Sequence, residues 1–170
     1  MVENKEKYSI WVIPPEPLYG QLKDTIEKLS REFGSPTFEP HMTLLGNINQ
    51  NDEDIEVKIK EMANITNKFE LSLGSISFST TYFQSVFVRI NSTTELMELN
   101  LKAKGLFNME NNVFMPHISL LYGIDDMKIR ETVASKINLP NSSFIVDELI
   151  VTPATDNPDE WQHSLKVPLK

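Results

Sequence analysis

The sequence predicts an α+β fold of two similar lobes that share one domain across residues 1–170. Three observations lead there. Pro40-His41-Met42-Thr43-Leu44-Leu45 and Pro116-His117-Ile118-Ser119-Leu120-Leu121 are near-copies in corresponding places of the two halves. Each half reads strand, helix, strand, helix, strand, with the copied motif on the middle strand. No low-complexity stretch or long linker separates the halves, and a chain of 170 residues buries roughly two-thirds of its unfolded surface without staples.

In the first half, the apolar run Tyr8 to Ile13 reads as a strand ended by Pro14-Pro15-Glu16-Pro17. Leu18, Leu22, Ile26, Leu29 and Phe33 form one stripe of a helix, and Gly34 is placed to stop it. The first histidine motif is a strand near 41–46. Asn51 or Asp52 caps a helix carrying Ile55, Ile59 and Met62. Phe69, Leu71 and Leu73 alternate as a strand, and a further strand covers about 82–90. In the second half, Ser92-Thr93-Thr94-Glu95 resembles a capping box before a helix with Leu96, Leu99, Ala103 and Leu106. A loop over 108–112 leads to the second histidine strand. Asp125 or Asp126 caps a helix with Ile129, Val133 and Ile137. Phe144 to Thr152 reads as one strand, and Trp161, His163, Leu165 and Val167 alternate along a last one.

Composition narrows the function. Lys and Arg total 16 against 24 Asp and Glu, a net charge of −8, so the chain has no electrostatic footprint for gripping long nucleic acid. No cysteine is present, which removes disulfides, cysteine–zinc sites and thiol nucleophiles. The start of the chain is polar, the first apolar run is too short for a signal peptide, and nothing approaches a membrane span. A cytoplasmic monomer acting on a small ligand, with no membrane partner, is expected.

The chemistry lies in the repeated motif. On a strand, residues i and i+2 share a face, so each motif presents an imidazole beside a hydroxyl. One imidazole is an acid or a base near neutral pH; two on opposite sides of a substrate are both at once. That suits cleavage of a phosphodiester. One histidine deprotonates water, the other protonates the departing alkoxide, and the Thr43 and Ser119 hydroxyls donate to the nonbridging oxygens. A single His-x-Thr means little; its doubling singles out His41, Thr43, His117 and Ser119. His163 lacks the hydroxyl and reads as a surface or packing residue. A zinc site would need it as third imidazole and is not expected. No metal or cofactor is expected, and no glycine-rich phosphate loop is present.

At these residues the chain resembles the 2H phosphoesterase superfamily, named for two His-x-Thr/Ser motifs, and within it the cyclic phosphodiesterases of plants and yeasts associated with tRNA splicing. Tyr8-Ser9-Ile10-Trp11, Phe38 to Thr43, Phe83 to Phe87, Met115 to Tyr122 and Glu160-Trp161 carry the likeness. The resemblance implies two lobes about a pseudo-twofold axis, each with an antiparallel sheet lining a central cleft and helices outside. It implies metal-independent hydrolysis of ADP-ribose 1″,2″-cyclic phosphate and of nucleoside 2′,3′-cyclic phosphates to 2′-phosphates. It places His41, Thr43, His117 and Ser119 in the cleft, with His117 as base and His41 as acid, and Trp11, Phe83 and Tyr122 against the ligand. Gly46 and Gly123 after the motifs, and the absence of the paired cysteines of plant relatives, depart from the pattern. The rival readings are an enzyme acting on RNA ends, including a 2′,5′ RNA ligase, and a nucleotide-binding module without turnover.

Overall fold

The structure is a computed structural model that describes residues 7–170; the polar start, Met1 to Glu6, lies outside them. The chain runs β1 (Lys7–Val12), α1 (Leu18–Phe33), β2 (Met42–Asn49), α2 (Asp52–Asn64), β3 (Phe69–Phe78), β4 (Val86–Ile90), α3 (Thr94–Leu106), β5 (His117–Leu121), α4 (Met127–Lys136), β6 (Ser143–Val146), β7 (Glu148–Pro153), a 3₁₀ turn (Pro158–Glu160) and β8 (Leu165–Pro168). The helices follow from stripe and cap. On α1, Leu18, Leu22, Ile26 and Leu29 are all buried, and Gly34 ends the helix at φ 62°, its N–H donating to the Ser30 carbonyl. The Asn51 side chain accepts the Asp54 N–H at 2.8 Å to start α2, and the Thr93 hydroxyl accepts the Leu96 N–H at 3.2 Å to start α3.

The eight strands form one antiparallel sheet in the order β6-β3-β4-β5-β2-β1-β7-β8. The two histidine strands are its central neighbours. They meet through a single registered pair, Met42 opposite Ile118, so the sheet is two four-stranded halves joined at the motifs. This bears out the α+β expectation of antiparallel sheets around a cleft with helices outside. Both Met42 and Ile118 are fully buried on the helix-covered face. Their neighbours in sequence therefore face the other way. Extending the register by one residue each way sets His41 opposite Ser119 and Thr43 opposite His117. Each imidazole thus stands across from the other motif's hydroxyl.

Four expectations need correction. The strand read over 82–90 begins only at Val86, because residues 79–85 form a turn tied to α4 through Arg130. The run from Phe144 to Thr152 is two strands, β6 beside β3 and β7 between β1 and β8, divided at Asp147. A continuous apolar run carries no mark of which neighbour each part pairs with. Trp161 and His163 precede β8, in the segment after the 3₁₀ turn. On α4, Ile129 is 41% exposed while Arg130 is 3% exposed, so a charged side chain occupies the inward position.

Candidate active site

The two histidines are held in the same way. His41 Nδ1 lies 2.7 Å from the Glu39 carbonyl oxygen, and His117 Nδ1 lies 2.8 Å from the Met115 carbonyl oxygen. A carbonyl only accepts, so each Nδ1 carries the hydrogen, and Nε2 is the ring nitrogen left for chemistry. Both residues line one cleft of about 580 Å³ together with Thr43, Ser119, Trp11, Phe83, Tyr122 and Trp161. The sequence-predicted site residues therefore all come together in one cavity.

The two motifs differ in their surroundings. Trp11 stacks on the His41 ring at 3.6 Å with an interplanar angle of 13°. Trp161 stands edge-on to Trp11 at 5.4 Å and to His41 at 5.6 Å. This enclosure disfavours the imidazolium and lowers the His41 pKa to about 4, a fall opposed by the Glu39 carbonyl and increased by the charges of His117 and His163. His117 meets the edge of Phe87 at 5.3 Å. Its pKa is also lowered, first by burial and then by the Arg89 guanidinium on the adjoining strand, with the Met115 carbonyl opposing. Both imidazoles are therefore neutral at neutral pH.

The hydroxyls differ too. The Ser119 hydroxyl donates to the Phe83 carbonyl at 2.7 Å, so its proton is committed to the 79–85 turn. The Thr43 hydroxyl makes no hydrogen bond within the described residues.

Of the three predicted aromatics, Phe83 alone offers an open face, at 37% exposure. Trp11 is 3% exposed and is spent on His41. Tyr122, also 3% exposed, stacks on Phe38 at 3.8 Å and meets Phe83 edge-on at 5.1 Å; burial and the neighbouring Tyr82 raise its pKa well above the ordinary value. Two contributors do not stand out in the sequence. Trp161 falls in an alternating pattern that reads as a strand, although the segment holding it carries the resemblance. Arg130 is hidden in an amphipathic helix. Its guanidinium donates to the carbonyls of Asp125 at 2.8 Å, Ser79 at 2.7 Å, Thr81 at 3.1 Å and Gly123 at 3.0 Å. It thereby fixes the turn that presents Phe83 and the Ser119 acceptor.

Among the described residues no group of three His, Cys, Asp or Glu side chains is arranged to hold a metal ion, and no helix is long and apolar enough to cross a membrane. The family model for "Cyclic phosphodiesterase-like protein" matches residues 7–162. The chain belongs to this cyclic phosphodiesterase-like family. It is 30% identical over 119 residues to a cyclic phosphodiesterase of Arabidopsis thaliana, covering 69% of this chain and 66% of that protein. It is 29% identical over 116 residues to a 2′,3′-cyclic-nucleotide 3′-phosphodiesterase of Yarrowia lipolytica, covering 64% of this chain and 51% of that one. The match thus spans about two-thirds and one-half of these relatives' lengths. The cyclic phosphodiesterase-like fold is shared with the TT0787 protein of Thermus thermophilus, at a TM-score of 0.69 and 15% identity over 96% of this chain and 97% of that one. It is also shared with LigT of E. coli complexed with 3′-AMP, at a TM-score of 0.63 and 14% identity over 98% of both chains.

Proposed function

We propose that this chain hydrolyses a small cyclic phosphodiester by two-histidine general acid–base catalysis, on nucleoside 2′,3′-cyclic phosphates, ADP-ribose 1″,2″-cyclic phosphate or both. The observation that carries this reading is the matched pair of Nδ1–carbonyl bonds, which leave two Nε2 atoms for one cleft. His117 accepts a proton from water as the water oxygen forms its bond to phosphorus. The P–O ester bond opposite breaks, and His41, as imidazolium, gives its proton to the leaving oxygen. A bound phosphate anion raises the pKa of a neighbouring imidazole, which loads His41 for this role. The depressed pKa of His41 makes its protonated form the stronger donor. Cleavage at the 3′ oxygen leaves a 2′-phosphate, in keeping with the name of the Yarrowia relative.

The charge of the cleft supports a small substrate. Its described lining contains no lysine or arginine, and Asp156 is its carboxylate. Neutral donors and imidazoles match the single anion of a nucleoside 2′,3′-cyclic phosphate better than an RNA chain, and better than ADP-ribose 1″,2″-cyclic phosphate, whose diphosphate adds further charge. Phe83 supplies the open aromatic face on which a base stacks, for about 1–3 kcal/mol.

The test is turnover of 2′,3′-cyclic AMP, ADP-ribose 1″,2″-cyclic phosphate and an RNA oligomer with a cyclic end, each with EDTA present. Opening of the cyclic ester in a small substrate is expected, to a 2′-phosphate from 2′,3′-cyclic AMP and to a 1″-phosphate from ADP-ribose 1″,2″-cyclic phosphate. No turnover of any of them contradicts hydrolysis, and turnover of the RNA alone assigns the cleft to RNA ends.

The hydroxyls should contribute unequally. Thr43→Ala removes an uncommitted donor and is expected to cost about 2–3 kcal/mol of transition-state stabilisation. Ser119→Ala removes a hydroxyl already bound to Phe83, and is expected to cost less in kcat while raising KM as Phe83 loosens. Measured kcat and KM for the two variants decide this; a larger kcat loss at Ser119 would show that its hydroxyl turns to the phosphate.

A further inference from the structure

Glu39 connects His41 to the C-terminal segment through two different groups. Its backbone carbonyl holds His41 Nδ1 at 2.7 Å. Its carboxylate accepts from His163 Nε2 at 2.6 Å and from the Tyr19 hydroxyl of α1 at 3.3 Å. The His163 and Glu39 side chains are 23% and 28% exposed, so the contact is partly shielded from solvent screening. Two residues before His163 stands Trp161, whose indole N–H donates to the Thr155 carbonyl at 2.8 Å and whose ring walls Trp11, His41 and Tyr122. The segment carrying Trp161 and His163 belongs to no strand; besides this contact it is held by the Trp161 indole and by the backbone bonds of Trp161 N–H to the Pro158 carbonyl and Ser164 N–H to the Val151 carbonyl. The second motif has no counterpart: Met115 takes the place of Glu39, and its apolar side chain ties to nothing charged.

We propose that Glu39 and His163 are positioning residues: they form a latch that holds Trp161 and His41 together as one wall of the cleft. The latch acts on two things at once. It stops the Trp161 segment from lifting away from the cleft, and it fixes the carbonyl that aims the His41 ring. Its kinetic consequences rest on the cyclic phosphodiesterase reading; its structural consequence does not.

The chain has two tryptophans, Trp11 and Trp161, and both line the cleft. Tryptophan emission therefore reads the latch without any turnover. In a Trp11→Phe background that isolates Trp161, His163→Ala is expected to shift emission to the red and to raise iodide quenching. In the otherwise native chain, His163→Ala is expected to lower kcat/KM for 2′,3′-cyclic AMP about tenfold, the scale of a small misplacement of a reacting group. His163→Gln, whose amide still donates to Glu39, restores most of both signals. Adding Glu39→Ala to His163→Ala has little further effect, because the two act as one unit. Should His163→Ala fail to fold, His163→Asn, whose shorter amide falls short of Glu39, takes its place in the comparison with His163→Gln. Unchanged Trp161 emission and quenching on loss of His163 overturns the latch, as does a His163→Gln no better than the variant without the donor. If the native chain turns over no cyclic phosphate, the hydrolase reading falls, and the emission measurement alone decides the latch.

Discussion

His41→Ala and His117→Ala are each expected to lower kcat on a 2′,3′-cyclic nucleotide by about 10²–10⁴-fold, the range for loss of one positioned acid or base. The expectation is equal in kind for both because the geometry is equal in kind. Each imidazole is tied through Nδ1 to the carbonyl two residues back and each borders the same cavity. Neither ring belongs to the buried core that Met42, Leu44, Ile118 and Leu120 build on the other face of the strands. The variants should therefore keep their urea midpoints close to that of the native chain. The double variant should lose less than the product of the single losses, since a proton relay missing one end gains little from the other. Steady-state kcat with urea unfolding of the same preparations measures both points. Near-native turnover from either single variant would show that its imidazole moves no proton.

The largest effect on stability is expected at Arg130. Arg130→Met keeps the length of the side chain and removes the guanidinium that four backbone carbonyls share. Each of these part-buried carbonyls left without a donor costs up to about 1–3 kcal/mol, and water recovers part of this, most of all at the exposed Thr81. A loss of about 3 kcal/mol or more in unfolding free energy follows. The turn over 79–85 should loosen with it, so the KM for a cyclic nucleotide should rise as Phe83 loses its support. Equilibrium urea unfolding reads the first effect directly. A change below about 1 kcal/mol would show that the carbonyls find other partners readily.

Much of this architecture is written in local patterns. The α1 stripe, Gly34, the Asn51 and Thr93 caps and the doubled His-x-hydroxyl frame each depend on residues within a few positions of one another. Such features can be read without knowing the fold. The division of residues 143–153 into β6 and β7 cannot, because it depends on β3 and β1 lying on opposite sides of the sheet. The role of Arg130 is illegible for a related reason. An arginine on an amphipathic helix ordinarily faces water, and two of its four acceptors, Ser79 and Thr81, lie 51 and 49 residues away in a turn that only the tertiary structure brings beside it. His163 carries no signal beyond its type, since its partner Glu39 lies 124 residues away in sequence. The difference between Thr43 and Ser119 is equally hidden: the motifs match, and the Phe83 carbonyl that separates them belongs to neither.

The pH dependence of kcat/KM, measured with EDTA present, tests the pairing of the two imidazoles most directly, because it reports the ionisation of the free enzyme. Burial lowers both pKa values below the ordinary 6.5, with His41 at about 4. Above both values both rings are neutral and no acid remains; below both, both are charged and no base remains. The values belong to the coupled pair, so either assignment of acid and base gives the same curve. A bell is expected, with its maximum on the acidic side of pH 6.5 and an alkaline limb that falls before neutrality is passed. A monotonic profile, or a plateau extending well into alkaline pH, would contradict a mechanism in which one imidazole gives a proton while the other takes one.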